Sequence, residues 1–168
     1  MDALTDLALS LGAKDVLMAD TDERKESIWS ARGAFLEAIK GSTSAMDECD
    51  VVVPRDGIAK FVRATHEISK RYDIRINSFG HAGDGNLHVY VCKDELDDAA
   101  WKERVEKAMD DMYEVARAMG GDVSGEHGIG HAKKPFLMQA VGEVQMELMR
   151  GIKAAFDPKG ILNPGKVV

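Results

Sequence analysis

The sequence predicts an α+β fold: a ferredoxin-like antiparallel sheet with helices on one face, plus extra helices at the N- and C-termini. Three observations carry that expectation. From residue 50 onward the elements read strand, helix, strand, strand, helix, strand, which is the order of a split βαβ unit. "DIRINSF" (73–79) alternates apolar and polar residues as a half-buried strand does, and it runs toward Asp84-Gly85. That pair favours a two-residue hairpin, because both central positions need positive φ. No internal repeat, low-complexity tract or Pro/Ser linker divides the 168 residues, so a single domain over 1–168 is expected.

Each element has its own signal. "MDALTDLALSLGAKD" reads as a short helix ending near Gly12, and it lacks the basic start of a secretory signal. "KDVLMA" (14–19) is a strand candidate. Asp20 and Thr21 can cap the helix that follows, and Gly41 closes it. Along it, Ile28, Arg32, Leu36 and Ile39 fall on one stripe, which turns Arg32 inward. "DVVVP" (50–54) is a strand ended by proline. The helix from 57 to about 72 carries Ile58, Phe61, Val62, Thr65 and Ile68 on one face. After the hairpin strand "NLHVYVC" (86–92), a helix from about 96 to 119 turns Trp101, Val105, Met109, Met112, Val115 and Met119 inward. Gly120-Gly121 stops it, "DVSGEHGIGH" follows, and a last helix spans about 137 to 156. "FDPKGILNPGKVV" forms an ordered loop or tail.

Composition narrows the function. A net charge of -7 with no basic stripe argues against nucleic-acid binding. No segment approaches the roughly 18 apolar residues that span a membrane. The two cysteines, Cys49 and Cys92, make neither a disulfide framework nor a thiolate zinc site. They are expected to be free thiols in a reducing, cytoplasmic compartment.

The chemistry concentrates in two glycine-rich stretches. In "GHAGDGNLHVYV" (80–91) a two-residue turn would set His81 opposite His88, with Cβ atoms about 4.5 to 5.5 Å apart. Such a pair can stack or share a metal ion. In "GDVSGEHGIG" (121–130) four glycines surround Glu126-His127, which fits either a tight turn or a backbone that approaches a ligand. If that segment is the fourth strand, Glu126 completes a His81, His88, Glu126 set. Two imidazoles and a carboxylate suit zinc, or manganese or iron, with one position open. Arg32 on an apolar stripe suits either a structural ion pair with Glu37 or Asp50, or a bidentate clamp on a substrate carboxylate.

"FGHAGDGNLH", "SGEHGIG" and "AAFDPKGILNPGK", with "IWSARGAFLEAI" and "DVVVP" upstream, resemble the C-terminal part of the FAD-linked oxidases. These are flavoproteins of the vanillyl-alcohol-oxidase-like superfamily, among them the glycolate oxidase FAD subunit, D-lactate dehydrogenase and D-2-hydroxyglutarate dehydrogenase. The resemblance implies oxidation of small D-2-hydroxy acids with FAD. Carried over by position, His81, His88 and Glu126 are metal ligands and His127 is the base that takes the hydroxyl proton. Arg32 holds the substrate carboxylate, Asn86 hydrogen-bonds substrate, and Asn163 touches FAD. The D-2-hydroxyglutarate enzymes carry a Thr and a Lys for the distal carboxylate where this chain has Leu36 and Glu48. That difference implies a monocarboxylate such as lactate or glycolate.

The resemblance also implies an FAD-binding domain with a glycine-rich pyrophosphate loop, which these residues do not supply. The chain is therefore expected to be an excised segment, a truncated product or one half of a split enzyme, inactive without that domain. An electron-accepting protein or quinone would then be a partner, with peripheral attachment to the inner membrane through it. Two other readings stay open: a stand-alone His-His-Glu metal hydrolase, which lacks an H-E-x-x-H motif, and a non-catalytic domain that docks on a flavoprotein.

Overall fold

The computed structural model describes residues 2–168, and their contacts fall into two compact units divided at Ile39 and Lys40. The first unit holds α1 (Asp2–Ser10), α2 (Asp22–Gly33) and most of α3 (Phe35–Lys40). Thr21 caps α2 as expected, its side chain accepting from the Arg24 backbone N–H. The single helix anticipated up to Gly41 is instead broken at Ala34. "KDVLMA" forms no strand: strands need a ladder partner for their N–H and C=O groups, and Val16, Leu17 and Met18 lie exposed without one. On the proposed apolar stripe Ile28 is exposed, whereas Arg32, Leu36 and Ile39 are half-buried.

The second unit is built on a three-stranded antiparallel sheet of order β1-β3-β2, with β1 Met46–Val52, β2 Arg75–His81 and β3 Asn86–Cys92. Between β1 and β2 the chain crosses over through α4 (Ile58–Tyr72), which begins after one 3-10 turn at Arg55–Gly57. From β3 it enters α5 (Asp98–Ala118), capped by Asp97. Cys49, Val51, Leu87, Val89 and Val91 point to one face of the sheet and join Phe61, Ile68, Met112 and Ala116 in the core. The inward residues of α4 are those its 3.6-residue period predicts, whereas on α5 the buried face is Ala108, Met112, Tyr113 and Ala116, with Trp101, Val105, Met109, Val115 and Met119 of the expected set only partly buried. Both cysteines are free and buried. No helix among the described residues is long and apolar enough to cross a membrane.

Two details of the anticipated sheet change. The fourth strand shrinks to one antiparallel bridge, Val52 with Asp122 on the outer side of β1. Beyond it the backbone N–H groups of Gly125, Glu126 and His127 all turn to the Asp50 carboxylate rather than to a neighbouring strand. The hairpin loop is four residues, not two, because His81 pairs with Asn86 and Phe79 with His88. Asp84 spends its side chain on the Asn86 N–H at 3.0 Å, and the Gly85 carbonyl accepts from Val53 N at 3.1 Å. Gly85 is held at φ +86, and a Cβ there would lie 2.0 Å from the Val53 carbonyl oxygen. The register therefore differs by two residues from the one expected. Since the side-chain period of a strand is two, every residue keeps its face.

The last helix, α6 (Lys134–Phe156), is kinked at Gly142, whose φ of 76 and ψ of 173 are not helical. Its tail returns so that Val167 N donates to the Gly130 carbonyl at 2.7 Å.

Candidate functional site

The sheet's second face, away from the helices, is polar. Alternation along β1 places Glu48 and Asp50 there, β3 adds Asn86, His88 and Tyr90, and β2 adds Phe79 and His81. The segment after the Val52–Asp122 bridge brings Glu126 and His127 over these strands.

Asp50 anchors that segment. Its side chain is fully buried and accepts from Asn86 Nδ2 (2.7 Å), Ser124 Oγ (2.9 Å) and the backbone N–H of Gly125, Glu126 and His127 (3.0–3.2 Å). Lys133 Nζ lies 3.3 Å away. Burial alone would raise the carboxyl pKa, but the bonds from Asn86, the His127 backbone and Ser124, with the Lys133 charge, hold it well below the usual carboxylate range. Gly125 has to be glycine here, since a Cβ would lie 1.8 Å from Asn86 Nδ2. Nothing in the sequence beyond a carboxylate heading an apolar run marked Asp50 for this work.

His81, His88 and Glu126 are brought together, each offering a ligand atom within 4.8 Å of the others. His81 Nε2 lies 3.0 Å and His88 Nε2 3.5 Å from Glu126 Oε1. Donors around a tetrahedral ion with bonds of about 2.1 Å stand about 3.4 Å apart, so the set fits a small divalent cation. An imidazole lone pair facing a carboxylate at such distances is repelled unless a cation or proton lies between them. The two histidine rings meet edge to face at 5.6 Å rather than stacking.

His127 stacks on His88 at 5.0 Å, and its Nδ1 is 3.3 Å from Glu48 Oε1. Glu48 is itself held by the Tyr90 hydroxyl at 2.8 Å. Burial and the bond to Glu48 raise the Tyr90 pKa, so the phenol stays a donor. Phe79 lies against Tyr90 and His88 at 5.5 and 5.8 Å, walling the face with aromatic surface. Asn86 is buried with Nδ2 committed to Asp50 and the Val51 carbonyl, while its Oδ1 has no partner. An ionised carboxylate only accepts, which fixes that orientation of the amide.

The remaining two candidates belong to other segments. Arg32 is in the last turn of α2, in the first unit. Asn163 is exposed in the tail with φ +47, its carbonyl accepting from Lys166 N at 3.2 Å. It borders a groove of about 490 Å³ lined by Met149, Ile152, Phe156 and Leu162.

Known proteins match this chain along its length. The family described as FAD linked oxidases, C-terminal domain, matches residues 1–167. A D-lactate dehydrogenase of Anaerostipes hadrus is 48% identical over 167 residues, 99% of this chain and 35% of that protein. Glycolate oxidase subunit GlcD of Bacillus subtilis is 41% identical over 155 residues, 92% of this chain and 33% of its own length. D-2-hydroxyglutarate dehydrogenase of Stutzerimonas stutzeri is 30% identical over 156 residues, 91% and 33% of the two chains. The chain thus spans about a third of the length of these relatives. It belongs to the family of FAD-linked oxidase C-terminal domains.

Proposed function

We propose that this chain supplies the substrate- and metal-binding part of an FAD-dependent oxidoreductase of small D-2-hydroxy acids. The observation that carries the reading is the convergence of His81 Nε2, His88 Nε2 and Glu126 Oε1 beside the His127 ring. These three residues would hold a divalent cation, zinc before manganese or iron, given two imidazoles and one carboxylate. When bound, the cation supplies Lewis acidity that lowers the pKa of a substrate hydroxyl, and the flavin supplies a hydride acceptor.

The chain's own residues do the rest. His127 receives the hydroxyl proton at Nε2, its Nδ1 being turned to Glu48. Asn86 Oδ1 is the atom that residue has left to offer a substrate, as an acceptor. Phe79 and Tyr90 keep water from one side of the face. Arg32 holds the substrate carboxylate and Asn163 meets the flavin, roles that rest on the family resemblance. Glu48 beside His127 puts a negative charge where a second substrate carboxylate would be repelled, which favours lactate or glycolate over a dicarboxylate.

FAD is assigned to a separate domain, on this or another chain, because no glycine-rich pyrophosphate loop occurs in these residues. An apolar stripe on α6, with Val144, Leu148, Ile152 and Phe156 exposed at four-residue spacing, supports a partner surface. Electrons would pass on to an acceptor protein or quinone, through which the enzyme would meet the inner membrane from the cytoplasmic side.

The test supplies this chain with the FAD-binding portion of the Anaerostipes hadrus relative and follows flavin absorbance without oxygen. D-Lactate or glycolate is expected to bleach the flavin, D-2-hydroxyglutarate to do so poorly, and His127→Ala to abolish bleaching. Flavin that stays oxidised with every 2-hydroxy acid would sink the reading.

A further inference from the structure

Glu48 stands behind two histidines at once. Its Oε1 is 3.3 Å from Nδ1 of His88 and 3.3 Å from Nδ1 of His127, and the Tyr90 hydroxyl fixes it at 2.8 Å. His88 Nδ1 is buried and makes no hydrogen bond, so its contact with Glu48 is one of charge and distance rather than of an aligned bond. The opposite nitrogen of His88 faces Glu126 and lies with His81 Nε2 around that carboxylate. Glu48 could therefore be a ligand itself, in a second set of Glu48, His88 and His127, or it could be a carboxylate that orients the rings.

We propose that Glu48 is a positioning residue that holds the Nδ1–H form of both His88 and His127, leaving one Nε2 for the metal and the other for the substrate proton. The inference rests on the roles proposed above for those two histidines. Three physical points favour it over a ligand role. An Nδ1 lone pair held 3.3 Å from a carboxylate oxygen is repelled, whereas an N–H there is attracted. The same oxygen already accepts from Tyr90, so its lone pairs are directed at donors. A carboxylate behind a ligating imidazole is also how metal sites commonly fix a ring and raise its basicity.

One geometry thus serves two functions. Through His88 it aims Nε2 at the His81 and Glu126 atoms, and through His127 it leaves Nε2 basic. Glu48 sits on the polar face because it alternates with Cys49, whose side chain enters the core.

The experiment uses the whole chain labelled with ¹⁵N at histidine, read by NMR metal-free at about pH 9, where histidines are ordinarily neutral, and again with added zinc. His127 is expected to carry its proton on Nδ1 in both states. With zinc bound, His88 is expected to keep Nδ1–H while its Nε2 resonance shifts, at one zinc per chain. Glu48→Gln should let His127 redistribute toward Nε2–H and weaken zinc binding about 10- to 100-fold. Tyr90→Phe, which frees Glu48 but leaves its charge, should shift both readouts the same way by less, and it serves should Glu48→Gln fail to fold. An Nε2–H His127 in the unaltered chain, two zinc ions per chain, or variants that leave tautomers and affinity unchanged would each overturn the inference. If the unaltered chain binds no zinc, the metal set fails, while the His127 tautomer at pH 9 still decides the role of Glu48.

Discussion

Asp50 is the side chain that anchors the segment carrying Glu126 and His127. It collects three backbone N–H groups, a hydroxyl, an amide and a lysine around one buried carboxylate. Asp50→Asn removes the charge and leaves Lys133 beside a neutral amide, which should cost about 3 kcal/mol in urea unfolding at pH 7. The sign with pH follows from the folded carboxyl lying below its unfolded value of about 3.9. Its contribution is complete above that value and is lost as pH falls through the folded one. The gap between wild type and variant should therefore narrow below about pH 4; a gap that stays constant to pH 3 would contradict the role. At this scale the convergence of His81, His88, Glu126 and His127 could be anticipated because histidines are few and stand in two glycine-rich stretches. Asp50 and Glu48 could not, because acidic residues are common and only strand register shows which ones turn inward.

At the scale of elements, the segment after β1's bridge acts as a strand replaced by side-chain capture. Gly125→Ala should force a Cβ into Asn86 and loosen that capture, costing about 2 kcal/mol and speeding amide hydrogen exchange at Glu126 and His127. Gly128→Ala, with φ +72 but open space around it, should cost only about 1 kcal/mol of backbone strain and leave those amides protected. Equal effects of the two substitutions would show that packing against Asn86 is not what requires Gly125. The helices α4 and α5 were legible from their apolar faces, and β3 from its run. The start of β1 was hidden because "MDECD" is polar on the face that carries the site, where hydrophobic alternation has nothing to read. The fourth strand was overread for the converse reason: a glycine-rich run after Asp122 matched a strand position by order alone. A hairpin signal at Asp84-Gly85 was right in place and wrong in loop length, and the two-residue shift left the site face unchanged.

For the molecule as a whole, the topology explains why one face of the sheet is apolar and the other polar. The crossover through α4 and the helix α5 cover a single face of the sheet, which leaves alternate residues of β1, β2 and β3 on the polar face. Fold class was legible from element order. Contacts within the chain fall into two compact units, while a single family model spans residues 1–167. The most direct test of the account is zinc or cobalt titration of the full chain with X-ray absorption of the loaded protein. One ion per chain is expected, with two imidazole nitrogens and a carboxylate oxygen at about 2.0 to 2.2 Å, and His88→Ala should abolish its retention. A chain that retains no ion, or a His88→Ala variant that binds as tightly as the unaltered chain, would contradict it.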